Sequence, residues 1–256
     1  MQKEIVKIYH ANNGTYGYRM IADKLALRGI KRSYPTIYRY MDDLGLKSII
    51  RRKKPGYVKA KAHKVFPDLL QRNFNVDASN KVWLLDFSYL PMPDGITVYN
   101  CTIIDLHKRN AVATLNSTRI DSQLAIDTLT KAINQHKPSK GLILHSDQGS
   151  QLTSRAFVEH CRAHKIQQSM SRAGCPGDNS PMERFFNTFK HEFFNLFSFK
   201  SIDDLNFATY DFVNVNYNYL RPHRYNNGIP PSIALRKSDS LIMAQKHKVK
   251  SFDQPE

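Results

Sequence analysis

Near residue 76 the hydrophobic period of the chain changes from helical to alternating, and the rest must be built around a sheet. Over residues 80–91 side chains alternate between two faces. Val82, Leu84, Asp86 and Ser88 fall on one, and Trp83, Leu85, Phe87 and Tyr89 on the other. Pro93-Asp94-Gly95 is a turn signal. Residues 96–106 and 111–115 read as two further strands joined by the polar turn Lys108-Arg109-Asn110, which makes an antiparallel meander. An amphipathic helix is expected over 121–136, a buried strand over 141–145, and a helix over 154–164 capped by Thr153. A fifth strand is expected over 166–170, with helices over 181–196 and 202–219. The order βββαβαβα predicts an α/β fold, a mixed five-stranded sheet flanked by helices.

Residues 1–47 read as three helices. The second, over about 18–28, shows Tyr18, Ile21, Ala22, Leu25 and Ala26 on one stripe and stops at Gly29. Ser33 is an N-cap for the third, with Pro35 in its first turn and Ile37, Met41 and Leu44 buried. Helix, short glycine turn, helix is a helix-turn-helix pattern, with Tyr34, Thr36, Tyr38 and Arg39 as groove-facing candidates. The spacing equally fits a small helical bundle.

The chain carries a net charge of +16, and residues 1–75 hold 17 Lys/Arg against 5 Asp/Glu. Excess positive charge concentrated in one segment points to a polyanion. Its densest part, Arg51, Arg52, Lys53 and Lys54, precedes Pro55-Gly56 and reads as a DNA-contacting linker. The expected division is 1–50 helical unit, 51–75 basic linker, 76–235 core, and 236–256 basic tail. No apolar run approaches the roughly 18 residues of a membrane helix, and the first residues show no signal-peptide core. Three unpaired-looking cysteines fit a reducing cytoplasm.

Three acids stand out. Asp86 interrupts an apolar strand, Asp147 ends another, and Glu183 opens a Phe-rich helix 36 positions later, with 35 residues between. Carboxylates on buried strands cost free energy unless paired. Hard Mg²⁺ prefers such oxygens and leaves room for phosphate, which points to phosphodiester chemistry. On the last helix Phe185, Phe189 and Phe193 share one face while Glu183, Asn187 and Lys190 share another.

The local words around these acids resemble the D,D-35-E signature of retroviral-type integrases and transposases. Trp83-Leu84-Leu85-Asp86-Phe87-Ser88-Tyr89 is similar to W-x-x-D-x-[ST]-Y, and His145-Ser146-Asp147-Gln148-Gly149-Ser150-Gln151 to H-S-D-x-G-x-Q. Asp178-Asn179-Ser180-Pro181-Met182-Glu183-Arg184-Phe185-Phe186 is similar to D-N-x-x-x-E-x-F-F. Tyr217-Asn218 with Arg221-Pro222-His223 matches Y-N-x-x-R-P-H, and Tyr16-Gly17-Tyr18-Arg19 the N-terminal Y-G-x-R. Together they resemble the OrfB-type product of the IS3 family of bacterial insertion sequences over residues 14–235.

The resemblance implies a ribonuclease-H-like fold and a DNA transposase in which Asp86, Asp147 and Glu183 are catalytic. They would hold two Mg²⁺, with Mn²⁺ as substitute, about 3.5–4 Å apart. It implies that Lys190 contacts DNA. Arg221 and His223 contact DNA or lock the C-terminal helix, while Asp178 and Asn179 cap the Glu183 helix and, with His145, back the acids. The implied partners are element terminal repeats, target DNA, further copies of the chain bridging two ends, and an upstream-frame helix-turn-helix/leucine-zipper protein. The rival readings are a catalytically silent DNA-binding regulator and a ribonuclease-H-like nuclease.

Overall fold

The computed structural model describes residues 1–48, 65–238 and 240. Arg51, Arg52, Lys53 and Lys54, and residues 241–256 of the tail, lie outside the described residues. The N-terminal unit is three ten-residue helices, α1 (Gln2–Ala11), α2 (Tyr18–Leu27) and α3 (Tyr34–Asp43). Ser33 caps α3, its Oγ accepting from Thr36 N at 3.3 Å. Ile5, Ile8, Tyr16, Ile21, Leu25, Ile37 and Met41 make a core private to this unit, as the stripe on the second helix predicts.

The sheet has five strands: β1 (Val82–Pro91), β2 (Thr97–Asp105), β3 (Ala111–Ser117), β4 (Ile143–Ser146) and β5 (Gln167–Met170). Their spatial order is β3-β2-β1-β4-β5. The first three pair antiparallel, and β4 lies parallel to both β1 and β5. This is the ribonuclease-H-like order. On one face Trp83 and Leu85 pack with α4 (Ser122–His136), the short α5 (Ser150–Thr153) and α6 (Arg155–Ala163). On the other, Val82, Leu84 and Leu90 pack with α7 (Ser180–Glu192) and α8 (Ile202–Tyr210). The period-2 pattern of β1 thus has both faces covered.

Several boundaries differ from expectation for local reasons. Ser154, not Thr153, caps α6, because its backbone is extended and its Oγ reaches Phe157 N. α7 ends at Glu192, where Phe193 leaves helical space at φ −136° and ψ −78°. α8 continues over Asp211–Leu220 as a wider coil with π-type turns, and Arg221 N donates to Asn216 O across five residues.

Residues 65–75, grouped with the linker in the sequence reading, pack on the core instead. Leu69 N donates to Ser169 Oγ at 2.9 Å, Met170 N to Pro67 O at 3.3 Å, and Leu70 is buried. Pairing to the β5 edge satisfies backbone groups that an exposed linker would give to water.

The helical unit docks against the C-terminal part of the core. Lys24 Nζ donates to Leu220 O at 2.6 Å, and a terminal nitrogen of Arg221 lies 3.8 Å from Met20 Sδ. Gly228, at φ +81°, lies so close to α2 that a Cβ there would sit 2.9 Å from Asp23 Cγ. Among the described residues no helix is long and apolar enough to cross a membrane.

Candidate active site

Two of the three acids belong to strands β1 and β4 or their continuation, and these strands pair in parallel. Val82, Trp83 and Leu84 of β1 pair with Ile143, Leu144 and His145 of β4. Carried two residues beyond the last pair, Leu84 with His145, the same register brings Asp86 of β1 level with Asp147, the residue that follows β4. Asp86 shares parity with Val82, Leu84 and Leu90, which face α7, and Asp147 shares parity with Ile143, which packs in the same cluster. Both aspartates therefore occupy the α7 side of the sheet.

The sheet turns polar at this level. Asp86 pairs across β2 with Thr102, whose Oγ1 donates to Asn100 Oδ1 at 2.7 Å and lies 2.9 Å from Thr114 Oγ1. Asn100 Nδ2 donates in turn to Thr114 Oγ1 and Asn116 Oδ1. Asp147 opens a tight turn in which Gly149 N donates to its Oδ1 at 2.9 Å. A Cβ on Gly149 would come within 3.0 Å of that oxygen and of Gln151 Oε1, so the turn needs glycine for close approach.

Glu183 lies in the first turn of α7. Met182, Phe185, Phe186 and Phe189 are buried on the sheet side, while Glu183 and Asn187 are exposed and Lys190 is half-buried. The face division expected from the sequence holds. The donor chemistry suits a hard divalent cation, yet among the described residues no three His, Cys, Asp or Glu side chains are gathered into a set that could hold a metal ion.

His145, two residues before Asp147, neither touches the surface nor caps the strand. It is fully buried. Nε2 lies 3.0 Å from Asp178 O and 3.1 Å from Ser171 Oγ, and Nδ1 lies 2.8 Å from Ser169 Oγ. A carbonyl only accepts, so the proton belongs on Nε2 and Ser169 donates to Nδ1. Burial lowers the imidazole pKa, with Asp68 and Asp178 opposing. This neutral ring ties β4 and β5 to the segment that starts α7.

Asp178 does not cap α7; its buried carboxylate pairs with Arg172 and Arg72, which hold it well below the usual carboxylate range. Asn179 stands at the N-cap position without a side-chain cap bond, and both its amide atoms lack partners. Its backbone, φ −126° and ψ 30°, departs from the extended conformation that aims a capping side chain at the N2 and N3 amides.

Of the two expectations for Arg221, the lock is the one its buried ion pair fits, while His223 is half-buried. Arg221 donates from Nε and a terminal nitrogen to both oxygens of Glu192, with side chains 10% and 5% exposed. His223 lies against Tyr217, its pKa pushed down to about 3 by burial and the charges of Arg221, Arg109 and Arg184. Tyr38 and Arg39 are exposed on α3, with Tyr38 edge-on to Tyr18. Arg72 and Arg172 had no signal in the sequence: their shared partner lies 106 and 6 residues away.

A cavity of about 710 Å³ opens at the other end of β1 and β4, among Lys81, Val82, Leu142 and Ile143, away from the acids.

Three family models match the chain. An integrase core domain matches residues 76–176, a second integrase core model residues 164–231, and an HTH-like domain residues 1–54. The chain is 33% identical over 224 residues to the transposase for insertion sequence element IS904 of Lactococcus lactis subsp. lactis (strain IL1403), covering 87% of this chain and 88% of that protein. It is 29% identical over 217 residues to the transposase InsF for insertion sequence IS3A of Escherichia coli (strain K12), covering 84% and 75%. Among solved structures it is similar to the HTLV-2 integrase catalytic core domain in complex with magnesium, at TM-score 0.43 and 17% identity over 54% of this chain and 90% of that one. Since the likeness to the IS904 transposase runs through helical unit and sheet alike, the chain belongs to the IS3 family of insertion-sequence transposases.

Proposed function

We propose that this transposase cuts and joins DNA strands at the ends of its element by metal-assisted phosphoryl transfer, with Asp86, Asp147 and Glu183 as the metal-holding acids. The observation that carries the reading is the shared level of Asp86 and Asp147 on neighbouring strands, facing the helix that bears Glu183. A divalent cation would offset the repulsion among three carboxylates drawn to one point. When bound, two Mg²⁺ (or Mn²⁺) supply Lewis acidity to the attacking and leaving oxygens of an in-line displacement.

The protein's part is positioning. The parallel pairing of β1 and β4 supports a fixed relation between the segments that carry the two aspartates, and the His145 network ties the start of α7 to β4. Lys190, about two turns along α7 from Glu183, is assigned to DNA near the cut end. Tyr38 and Arg39 on α3 are assigned to a groove, and Arg51, Arg52, Lys53 and Lys54 to backbone phosphates. Further copies of the chain bring two ends together, and an upstream-frame partner is compatible with the same arrangement.

The test is incubation of labelled element-end and random duplexes with the protein, with Mg²⁺, Mn²⁺ or EDTA. Wild-type protein should nick and join only with a divalent ion, and Asp147→Asn should lose both reactions while binding duplex nearly as well. Binding by wild-type protein without metal-dependent cutting would favour the silent regulator, and cutting without joining the nuclease.

A further inference from the structure

Asp178 carries two guanidiniums. Arg72 Nε donates to Oδ1 at 2.7 Å. Arg172 donates from Nε to Oδ2 at 2.9 Å, from a terminal nitrogen to Oδ1 at 3.2 Å, and from its backbone N to Oδ2 at 3.2 Å. The carboxylate is fully buried, but the arginine side chains are 55% and 62% exposed. The Arg221–Glu192 pair of the same protein is one-to-one and nearly enclosed. Both guanidiniums of the cluster therefore stay open to solvent while Asp178 does not, with Asp68 the second carboxylate within electrostatic reach of Arg172.

The backbone is bent to make it. Gln71 and Arg72 both take left-handed conformations, φ 46° and 63°, which side-chain-bearing residues adopt at a cost. Asp68 Oδ1 accepts from Leu70 N and Gln71 N, both at 3.0 Å, and Asn73 N donates to Leu70 O at 2.7 Å, which holds the bend. A costly conformation that serves one side chain's placement is a pointer to function. A lock alone needs only Arg172, which already binds Asp178 through three nitrogens.

The cluster borders the acids on both sides. Gln148, next to Asp147, donates from Nε2 to Ser171 O, adjacent to Arg172, at 2.9 Å. Asp178 precedes Glu183 by five residues, and its carbonyl takes the His145 hydrogen bond. Among the described residues the terminal nitrogens of Arg72 donate to no protein group.

We propose that Arg72 and Arg172, splayed on Asp178, form a preorganised fork for a DNA backbone phosphate at the rim of the active site. The proposal rests on reading that site as one that processes DNA. A planar guanidinium fixed by its Nε edge keeps its other edge for bidentate phosphate contact. Because Asp178 already orders both side chains, little rotamer freedom is left to lose on binding.

Binding of a random-sequence duplex in EDTA, measured against salt concentration, tests the fork apart from catalysis. Arg72→Gln and Arg172→Gln should each flatten the log–log salt slope by about 0.9, one phosphate contact. Arg155→Gln, which removes an exposed arginine from α6 on the opposite sheet face, should leave it unchanged. Should Arg72→Gln melt early, Arg172→Gln and the charge-keeping Arg72→Lys decide, the first flattening the slope and the second preserving it. Equal slopes for wild type, Arg72→Gln and Arg172→Gln, or equal flattening by Arg155→Gln, would overturn the fork. So would displacement of duplex by inorganic phosphate at matched ionic strength, which would assign the fork to a free anion. Failure of wild-type protein to cut in Mg²⁺ would instead strike the catalytic reading and leave the EDTA result standing.

Discussion

Arg221 grips Glu192 through two nitrogens, at 2.6 and 2.8 Å, and so ties the segment after Leu220 to the last residue of the helix that carries Glu183. Tyr16 of the helical unit is buried within electrostatic reach of both charges. Removing one partner strands the other. Arg221→Ala or Glu192→Ala should therefore destabilise the protein by about 3–5 kcal/mol, whereas the double replacement by methionine should cost much less. Urea unfolding of the three variants measures this.

Lys190 shares the Glu183 side of α7 while the phenylalanines bury the other. Lys190→Ala should weaken binding to element-end duplex several-fold more than to random duplex. Competition binding with the two duplexes checks it; equal loss on both would make Lys190 a general phosphate contact.

Stability should fall in mild acid. His223 is held at about 3 in the folded chain against about 6.5 unfolded. Between those values the unfolded state binds the extra proton, so stability is complete above about pH 6.5 and is lost as pH drops, at up to about 1.4 kcal/mol per pH unit for one histidine. His145 and His136, also lowered by burial, act in the same direction. Unfolding free energies at about pH 7 and pH 5 should show this slope, and His223→Leu should reduce it.

Phe189 is fully buried between Phe185, Phe186, Phe193 and Phe212. Phe189→Ala should cost about 3–5 kcal/mol, the transfer term plus an unfilled cavity. Denaturant melts with unchanged m-value would confirm a loss of native packing rather than a change in the unfolded chain.

Strands and helices were legible because their signals are local. Alternation along β1 assigned its two faces, and Ser33 announced α3. The expectation that Asp86 and Asp147 converge came from the resemblance and not from local pattern, because register depends on which strands pair. Arg72, Arg172 and Asp178 meet through a bend at Gln71–Arg72 that carries no glycine or asparagine to mark it. For Arg221 the choice between DNA contact and lock stayed open in the sequence, because arginine is seldom buried and its partner Glu192 is 29 residues away. Asn179 has the right chemistry for a cap but the wrong backbone angles, which residue type alone does not disclose.

Gly228 gives the pairing of helical unit and catalytic sheet a sensitive spot. A single methyl group there would act as a wedge against Asp23, loosening the seat of the helical unit on the sheet domain.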